Sequence, residues 1–355
     1  MISLFFLAVS PIVVRAFMGD VTENKTKKNI YLTICGLCIV FVMGLRSRFS
    51  GTTDTKIYCD IFDRMRMHYP NLIDYLEETR LENGLLFSEV SFYIYVWILA
   101  KIFSEAQWLL IISAVIMVIC TLRFISKHSE DMTLSIVMFL CLGLFTFNMS
   151  GLRQCLAMSI CLIAYDFMRE KKFLPFALTI LFAMTFHKSA IIFGLSYLIV
   201  YVKPKWNHIT IFLLALALFI AFADDISFLY DSLTGEDYSG GGSFDSGGYI
   251  TVAIYLIIII VSLLFNKKWN VDILLPIFLT VIGVSLFVIR YSSVQIYERI
   301  SYYFYYFTIL ILPYIISKFE SKSRVVINAV VSILSMVLFL YRINSGVFHN
   351  FALII

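Results

Sequence analysis

The chain has 355 residues, of which 60% are hydrophobic and only 15% are charged, and its mean hydropathy is +0.88. An ordinary soluble domain carries about 25% charged residues, so this composition excludes a soluble globular protein and indicates one whose solvent is the lipid bilayer. The net charge is only +4 and the 28 basic residues are scattered along the chain, which argues against a nucleic-acid partner.

Apolar runs long enough to cross about 30 Å of hydrocarbon recur along almost the whole chain. They predict an all-α fold, a polytopic integral membrane bundle of roughly 11 to 13 membrane helices that forms a single transmembrane domain over residues 1–355. The runs cover residues 2–18, 29–45, 86–103, 107–125, 133–148, 152–168, 173–202, 208–223, 249–265, 271–289, 299–317 and 325–342.

Two long polar stretches interrupt the apolar runs. Residues 46–85 mix both charge signs, and residues 224–248 include a Gly/Ser-rich segment that predicts a flexible loop. Lys and Arg are concentrated in the short loops between the other apolar runs, for example around Lys25 and Lys171. The positive-inside rule puts those loops in the cytoplasm. We therefore expect 46–85 and 224–248 to be outer loops, on the periplasmic or extracellular side. The alternative topology puts 46–85 in the cytoplasm.

The seven cysteines give no sign of a disulfide framework. Six fall in or beside apolar runs, and only Cys59 lies in a polar stretch. Cys35 and Cys38 form a C-x-x-C pair inside an apolar run without a nearby His or a second pair, so we interpret them as small apolar helix residues. In the predicted orientation Cys59 faces outward, and we expect it to react with a membrane-impermeant thiol reagent.

Two segments do not fit a simple alternation of spans. Residues 173–202 are an apolar stretch of about 45 Å if it forms one helix, with basic clusters at both ends and His187-Lys188 midway. We predict a hairpin of two short helices that rises from the cytoplasm and turns at His187 in the outer half of the membrane. The segment 86–103 contains Glu89 and cannot cross fully if both flanking basic clusters are cytoplasmic, so we expect it to lie in the outer interface.

In this topology charged side chains from four distant parts of the chain reach one level near the outer face. Charge at membrane depth is expensive and normally faces a protein cavity or a functional pathway. The set consists of Arg46, Arg48, Arg153, His187, Lys188, Arg290, Glu298 and Arg299.

The first two segments of this set suit anion binding. Arg46 and Arg48 carry guanidinium groups that bind phosphate oxygens in bidentate fashion, and Asp54 nearby is a carboxylate that can accept a proton. Arg153 and Gln154 lie about one turn inside the start of an apolar helix, where the helix N-terminus also favours anions. The alternative interpretations are a snorkelling arginine followed by a helix N-cap for the first segment, and an interface anchor for the second.

The other two segments bring a titratable group and aromatic rings. His187 and Lys188 interrupt thirty apolar residues, and the alternative for His187 is a hydrogen-bonded core histidine. Glu298 and Arg299 lead into the run Ser301-Tyr-Tyr-Phe-Tyr-Tyr306. These tyrosines are typical of an aromatic belt at the membrane interface, although stacked rings such as Tyr302 also suit the faces of sugars.

Taken together, the four segments resemble the EpsG family of bacterial polysaccharide-repeat polymerases, which is related in role to the Wzy O-antigen polymerases. The resemblance rests on an Arg-rich Gly-Thr-Asp-Thr motif with a following Tyr, a Leu-Arg-Gln-x-Leu-Ala helix start, a Lys-Lys-Phe then Phe-His-Lys-Ser-Ala pattern, and a late Glu-Arg-Ile-x-Tyr-Tyr-Phe. In this chain these motifs contain Arg46, Arg48, Gly51, Thr52, Asp54 and Tyr58; Arg153, Gln154 and Ala157; Lys171, Lys172, His187 and Ser189; and Glu298, Arg299 and Tyr302.

The resemblance implies a lipid-linked glycosyltransferase of the bacterial inner membrane with its active site toward the outer face. Such an enzyme joins oligosaccharide repeats while both are attached to undecaprenyl pyrophosphate, and so polymerises O-antigen of lipopolysaccharide, capsule or exopolysaccharide. Its partners would be the lipid-linked donor and acceptor, membrane lipid and a chain-length regulator protein. No DxD-like pair stands near the arginines, so we expect a metal-independent reaction without a cofactor.

For this chemistry the catalytic candidates are His187, which would position or deprotonate the acceptor hydroxyl, Asp54 as the second candidate for that task, and Glu298. The residues expected to bind pyrophosphate or sugar are Arg46, Arg48, Arg153, Gln154, Lys188, Arg290, Arg299 and Tyr302. Two other functions stay open: a lipid-linked oligosaccharide flippase or transporter, which is expected to show two comparable halves, and another outer-face transferase such as an O-antigen ligase or acyltransferase.

Overall fold

The computed structural model describes residues 2–50, 53–83, 89–201, 246–265, 271–289, 295–345 and 351–354, and helices dominate these ranges. In chain order the helices are α1 (Ile2–Met18), α2 (Lys25–Gly44), α3 (Thr53–His68), α4 (Leu72–Asn83), α5 (Val90–Ile102), α6 (Gln107–His128), α7 (Met132–Cys141), α8 (Leu144–Asn148), α9 (Leu152–Arg169), α10 (Phe173–Met184), α11 (Ala190–Leu195), α12 (Ser246–Phe265), α13 (Val271–Ile289), α14 (Gln295–Tyr305), α15 (Thr308–Ile316) and α16 (Ser321–Ser345). The predicted run 208–223, residues 224–245 of the predicted Gly/Ser-rich loop and the site candidate Arg290 lie outside the described residues.

Local sequence signals explain several helix boundaries. The side chain of Asn24 accepts a hydrogen bond from Lys27 N at 2.8 Å and so caps α2, and Asp131 caps α7 by accepting from Leu134 N at 3.1 Å. The predicted run 133–148 breaks at Gly143, which has a φ of +100°. A side chain at Gly143 would be strained by this φ and would also meet Arg342, so the break between α7 and α8 requires glycine.

The lengths of the helices support an all-helical membrane protein. Among the described residues, four segments are long and apolar enough to cross a bilayer: Lys25–Gly44, Gln107–His128, Tyr297–Ile316 and Ser321–Asn344. Several further apolar helices are shorter. The 13 residues of α5 reach about 20 Å, which is less than the hydrocarbon thickness, and the placement of the segment 86–103 in the outer interface stays a prediction. The number of roughly 11 to 13 spans stays a prediction.

The helices alternate between two ends of the bundle, which we name after one buried carboxylate each. At the Glu89 end, the side chain of Gln107 donates to the carbonyls of Gly44 and Arg46, which joins the end of α2 to the start of α6. At the Asp166 end, Lys28 Nζ donates to Ser126 O at 2.7 Å, which joins the opposite ends of the same two helices. The two helices are therefore antiparallel.

The hairpin predicted around His187 is present. The helices α10 and α11 pack against each other, and a 3₁₀ turn over Ser196–Tyr201 continues α11. The start of α10 and the end of the 3₁₀ turn both lie at the Asp166 end, where Lys171 Nζ lies 5.7 Å from the centre of the Tyr201 ring. The tip of the hairpin, with His187, lies at the Glu89 end beside the start of α9. The 12 residues of α10 are too few to span a bilayer alone.

The polar stretch 46–85 contains two helices, α3 and α4, and α3 packs against α5. Buried side chains recur along one face of α3 at helical spacing, for example Tyr58, Phe62 and Met65. Cys59 is also on the buried side and is only 1% exposed. The expectation that Cys59 reacts with an impermeant reagent is therefore wrong, because the thiol is packed inside the protein on either orientation.

Candidate active site

A buried carboxylate anchors the Glu89 end of the bundle. Glu89 directly precedes α5, is 6% exposed and has a φ of +68°, an unusual conformation for a residue with a side chain. Its Oε2 atom pairs with Arg153 Nη1 in the first turn of α9. The Arg153 guanidinium also lies over two rings, 5.8 Å from the centre of Tyr58 and 5.9 Å from that of Phe92. Arg153 is thus held between α3, α5 and α9.

His187 reaches the same carboxylate from the tip of the hairpin. Its Nε2 atom lies 3.7 Å from Glu89 Oε1, too far for a hydrogen bond. Its Nδ1 atom shares a hydrogen bond of 2.6 Å with Ser189 Oγ, which in turn donates to Tyr303 Oη at 3.0 Å. In the tautomer with the proton on Nδ1, the imidazole donates to Ser189 Oγ and Nε2 is the proton acceptor, whereas in the opposite tautomer Nδ1 accepts from Ser189 N at 3.4 Å.

Cations surround the imidazole as well. His187 lies in the turn between α10 and α11, outside the spanning helices. Burial, and then the charges of Arg153, Arg299 and Lys188, lower the pKa of His187 to about 3. The ring is therefore neutral at physiological pH, but the burial and the cations that keep it neutral also make it a weaker base than a free imidazole, so it accepts a proton only when negative charge builds up beside it.

A second ion pair lies at the same end. Arg299 on α14 has its Nη2 atom 3.4 Å from Asp54 Oδ2 in the first turn of α3. The side chain of Gln154 donates to the backbone carbonyl of Arg299. The first turn of α9 therefore positions both arginines of the site. It carries Arg153 itself, and through Gln154 it binds the backbone of Arg299 on α14.

Backbone and hydroxyl contacts fix these segments to one another. Ser91 N donates to Thr185 O at 3.0 Å, and Thr185 Oγ1 donates to Ser91 Oγ at 2.8 Å, which ties the start of α5 to the hairpin. Thr55 Oγ1 donates to Met149 O at 3.1 Å, which ties α3 to the loop before α9. The position of each charged group therefore depends on short contacts from a different segment.

The arginines of this site are more accessible than the carboxylate behind them. The exposed fraction of the side chain is 31% for Arg153 and 46% for Arg299, against 9% for Glu89. An anion that approaches from outside the bundle would meet the two guanidinium groups first. The geometry provides two forked cations, a neutral imidazole and a buried carboxylate within one small region.

Two predicted arginines lie apart from this group. Arg48 binds acidic residues on α3, with Nη2 2.9 Å from Asp63 Oδ2 and Nη1 3.7 Å from Asp60 Oδ1. Arg46 is 1% exposed, donates to the carbonyl of Met43 and forms a backbone bridge with Leu353. The structure therefore places Arg46 and Arg48 on local partners and not in the group formed by Arg153 and Arg299.

The remaining candidates are neighbours of the central residues. Lys188 follows His187 in the hairpin turn, and Glu298 precedes Arg299 on α14; both are half-buried. Tyr302 lies one turn further along α14 and stacks on Phe147, with ring centres 3.8 Å apart and planes 2° from parallel. Phe147 therefore covers one face of the Tyr302 ring, so a sugar could stack only on the other face.

Sequence reasoning missed Glu89 as a site residue. The sequence does contain a signal, because Glu89 stands at the start of an apolar run and a carboxylate there needs a partner. The partner is not visible in the sequence, since Arg153 follows 64 residues later.

The family profile of EpsG matches residues 29–352. The chain belongs to the EpsG family. The match extends from α2 to the C-terminal segment and includes every described residue of the candidate site. No curated protein and no solved structure matches the chain. Together with the apolar helices, membership of the EpsG family identifies a membrane protein and suggests a function like that of a polysaccharide polymerase.

Proposed function

We propose that this EpsG-family protein transfers a glycosyl chain between two oligosaccharide repeats that are both linked to undecaprenyl pyrophosphate. The observation that carries the proposal is the convergence of Arg153, Arg299, His187 and Glu89 at one end of an apolar bundle. Charged groups at the end of a bundle suit a substrate whose polar part is at headgroup depth and whose lipid part stays in the bilayer.

Arg153 and Arg299 are proposed to bind the pyrophosphate of the donor. A guanidinium group stays charged even where the dielectric is low, and its planar fork fits two phosphate oxygens. It can therefore stabilise the negative charge that develops on the leaving pyrophosphate without a proton transfer. Lys188 adds a third positive charge near His187.

In the proposed step, the acceptor hydroxyl oxygen attacks the anomeric carbon of the donor sugar. The new C–O glycosidic bond forms, the bond between the anomeric carbon and the pyrophosphate oxygen breaks, and the pyrophosphate leaves with the bonding electrons. The hydroxyl proton passes to Nε2 of His187, with Asp54 as the second candidate. The carboxylate of Glu89, 3.7 Å from Nε2, would stabilise the imidazolium that results.

The orientation belongs to the same proposal: the Glu89 end faces the outer side of the bacterial inner membrane and the Asp166 end faces the cytoplasm. Because Cys59 is buried, a cysteine has to be introduced to test it. Met67, at the end of α3, is 67% exposed and suits this purpose. A membrane-impermeant thiol reagent applied to intact spheroplasts should label Met67→Cys and leave Lys172→Cys unlabelled until the membrane is opened. The opposite pattern would reverse the orientation.

The reaction itself can be tested with the purified full chain in lipid vesicles and a synthetic lipid-linked repeat. A polymerase converts single lipid-linked repeats into a ladder of longer chains on the same lipid and releases undecaprenyl pyrophosphate. Translocation of unchanged repeats would identify a flippase. Transfer of a single repeat or an acyl group to a different acceptor would identify a ligase or an acyltransferase, and either result would contradict the proposal.

A further inference from the structure

A polar cavity lies at the Asp166 end of the bundle, far along the helices from the candidate active site. It has a volume of about 670 Å³ and lies between α1, α7, α15 and α16. Charged and amide side chains line part of it, and apolar side chains such as Ile12, Ile333 and Met336 line the rest. A cavity with one polar and one apolar part fits an amphiphile better than a wholly water-soluble ligand.

One face of α16 shows this change from polar to apolar most directly. Arg324, Asn328, Ser332 and Met336 all line the cavity and follow one another at intervals of four residues. Residues at this spacing lie on the same face of a helix, so the stripe runs for about 18 Å from the helix start into the bundle. It offers a guanidinium and an amide near the helix start and a hydroxyl and a thioether deeper in the bundle, which suits a polar head group folded against the first two side chains and an acyl chain beyond them.

Among the described residues, no hydrogen-bond donor contacts the side-chain oxygen of Asn328. Its Nδ2 atom donates to Asp131 Oδ2 at 2.8 Å, and because an ionised carboxylate only accepts, this contact fixes which amide atom points where. The Oδ1 atom is then buried without a hydrogen-bond partner among the described residues. A buried acceptor in this state costs about 1 to 3 kcal/mol, so a ligand that donates here, once the amide turns its oxygen toward the cavity, would be stabilising.

The charges around the amide have both signs. Glu130 and Asp131 supply two carboxyl groups on the α7 side, and Arg324 lies one turn before Asn328 on α16. The Arg324 guanidinium donates to Phe319 O at 3.3 Å, and in the part of the chain that the structure describes no carboxylate oxygen lies within 4.0 Å of it. Carboxylates beside an orphaned acceptor attract an ammonium with N–H groups, whereas Arg324 at the mouth attracts a phosphate.

We propose that this cavity binds a phospholipid with a primary ammonium head group, phosphatidylethanolamine, in the leaflet at the Asp166 end. The ammonium donates to Asn328 Oδ1 and lies beside Asp131 and Glu130, the phosphate contacts Arg324, and an acyl chain follows the apolar wall toward Met336. Phosphatidylcholine cannot replace it, because its quaternary ammonium has no N–H group. Phosphatidylglycerol lacks the positive charge. The proposal does not depend on the glycosyl-transfer reaction.

The test uses the purified full chain, exchanged into equal amounts of phosphatidylethanolamine, phosphatidylcholine and phosphatidylglycerol, with bound lipid identified by native mass spectrometry. A hydrogen bond from a charged donor implies that phosphatidylethanolamine is retained about tenfold over phosphatidylcholine. In Asn328→Leu this preference should fall to near one. The matched control is Asn344→Leu, an exposed residue on the same helix, which should keep the preference.

A second variant covers the case in which Asn328→Leu does not fold. Glu130 is exposed, so Glu130→Gln should leave the melting temperature unchanged and reduce the preference several-fold by removing one carboxylate. Equal retention of the three lipids by the wild-type protein would overturn the proposal. So would a preference for phosphatidylethanolamine that survives unchanged in a folded Asn328→Leu or in Glu130→Gln.

Discussion

The two ends of the bundle use similar charged groups in different ways. At the Asp166 end, one carboxylate that is 6% exposed contacts three basic side chains: Arg123 at 2.6 Å, Lys127 at 2.9 Å and His128 at 2.7 Å. Both carboxylate oxygens are engaged, and Arg123 and Lys127 extend from α6 to α9. The network continues through Arg169, which contacts both His128 and Asp272. It ties the ends of α6, α9 and α13 together.

At the Glu89 end several of the charged groups come from turns and short helices, while Arg153 lies at the start of the long helix α9. Glu89 precedes α5, His187 lies in the hairpin turn and Arg299 lies on the short α14, and of the three only Arg299 falls within a candidate span. Arg153 has Glu89 and Arg299 has Asp54 at ion-pair distance, and the neutral imidazole of His187 is close enough to both arginines for their charges to lower its pKa. The charged groups at the Asp166 end therefore hold long helices together, whereas the Glu89 end presents cations that a substrate can still reach.

The largest effect is expected for the proposed base. His187→Ala should reduce turnover by about 100-fold to 10,000-fold, the usual range for loss of a general base, while Asp54→Asn should reduce it less. Because the pKa of His187 in the free protein is about 3, kcat/KM of the wild type should show no loss on acidification through pH 6.5. If His187→Ala keeps most of its turnover and Asp54→Asn loses nearly all, with both proteins folded, the base is Asp54.

A smaller but clear loss is expected for the buried carboxylate at this end. Glu89→Gln keeps the shape of the side chain but removes the charge that holds Arg153 in place, and a displaced catalytic group costs up to about 100-fold in rate. We therefore expect a fall of about tenfold to 100-fold in turnover. Glu105→Gln is the control, since Glu105 is exposed and precedes α6 at the same end. Equal turnover of the two variants would remove Glu89 from the site.

The other end should respond in stability and not in chemistry. Asp166→Asn leaves Arg123 and Lys127 without their shared counter-charge, and because these two side chains are 48% and 45% exposed the cost should be about 1 to 2 kcal/mol, less than the cost of about 3 to 5 kcal/mol for a fully buried pair. We expect a lower melting temperature and a lower yield of folded protein. The turnover per folded molecule should stay within about twofold of the wild type. A large fall in turnover at full stability would show that the Asp166 end also takes part in the reaction.

Much of this architecture follows from the sequence, because the length of an apolar run and the presence of a charged residue within or beside it can be read from the local sequence. They predict the helices, the hairpin tip at His187, and the meeting of Arg153 and Arg299 with His187 at one end. They do not predict which charges pair. Arg46 and Arg48 carry the same side chain as Arg153, yet local partners such as Met43 O and Asp63 bind them away from the central group.

Two other features depended on tertiary contacts. The stretch 46–85 has mixed charge and reads as a loop, but the buried face of α3 is completed only when it packs against α5. The thiol of Cys59 becomes buried by the same packing. Likewise, the role of Glu89 depends on Arg153 and His187, which lie far along the chain and reach it only after the hairpin and α9 have assembled.

The most direct test of the account compares one arginine from each end in the same assay. Arg153→Lys and Arg123→Lys both replace a partly exposed guanidinium that pairs with a buried carboxylate. An ammonium does not reproduce the bidentate contact with pyrophosphate, so purified Arg153→Lys should leave lipid-linked repeats unpolymerised. Arg123→Lys should produce the full ladder of chain lengths, because Lys can still neutralise Asp166. A full ladder from Arg153→Lys, or its loss in a folded Arg123→Lys, would contradict the assignment of the chemistry to the Glu89 end.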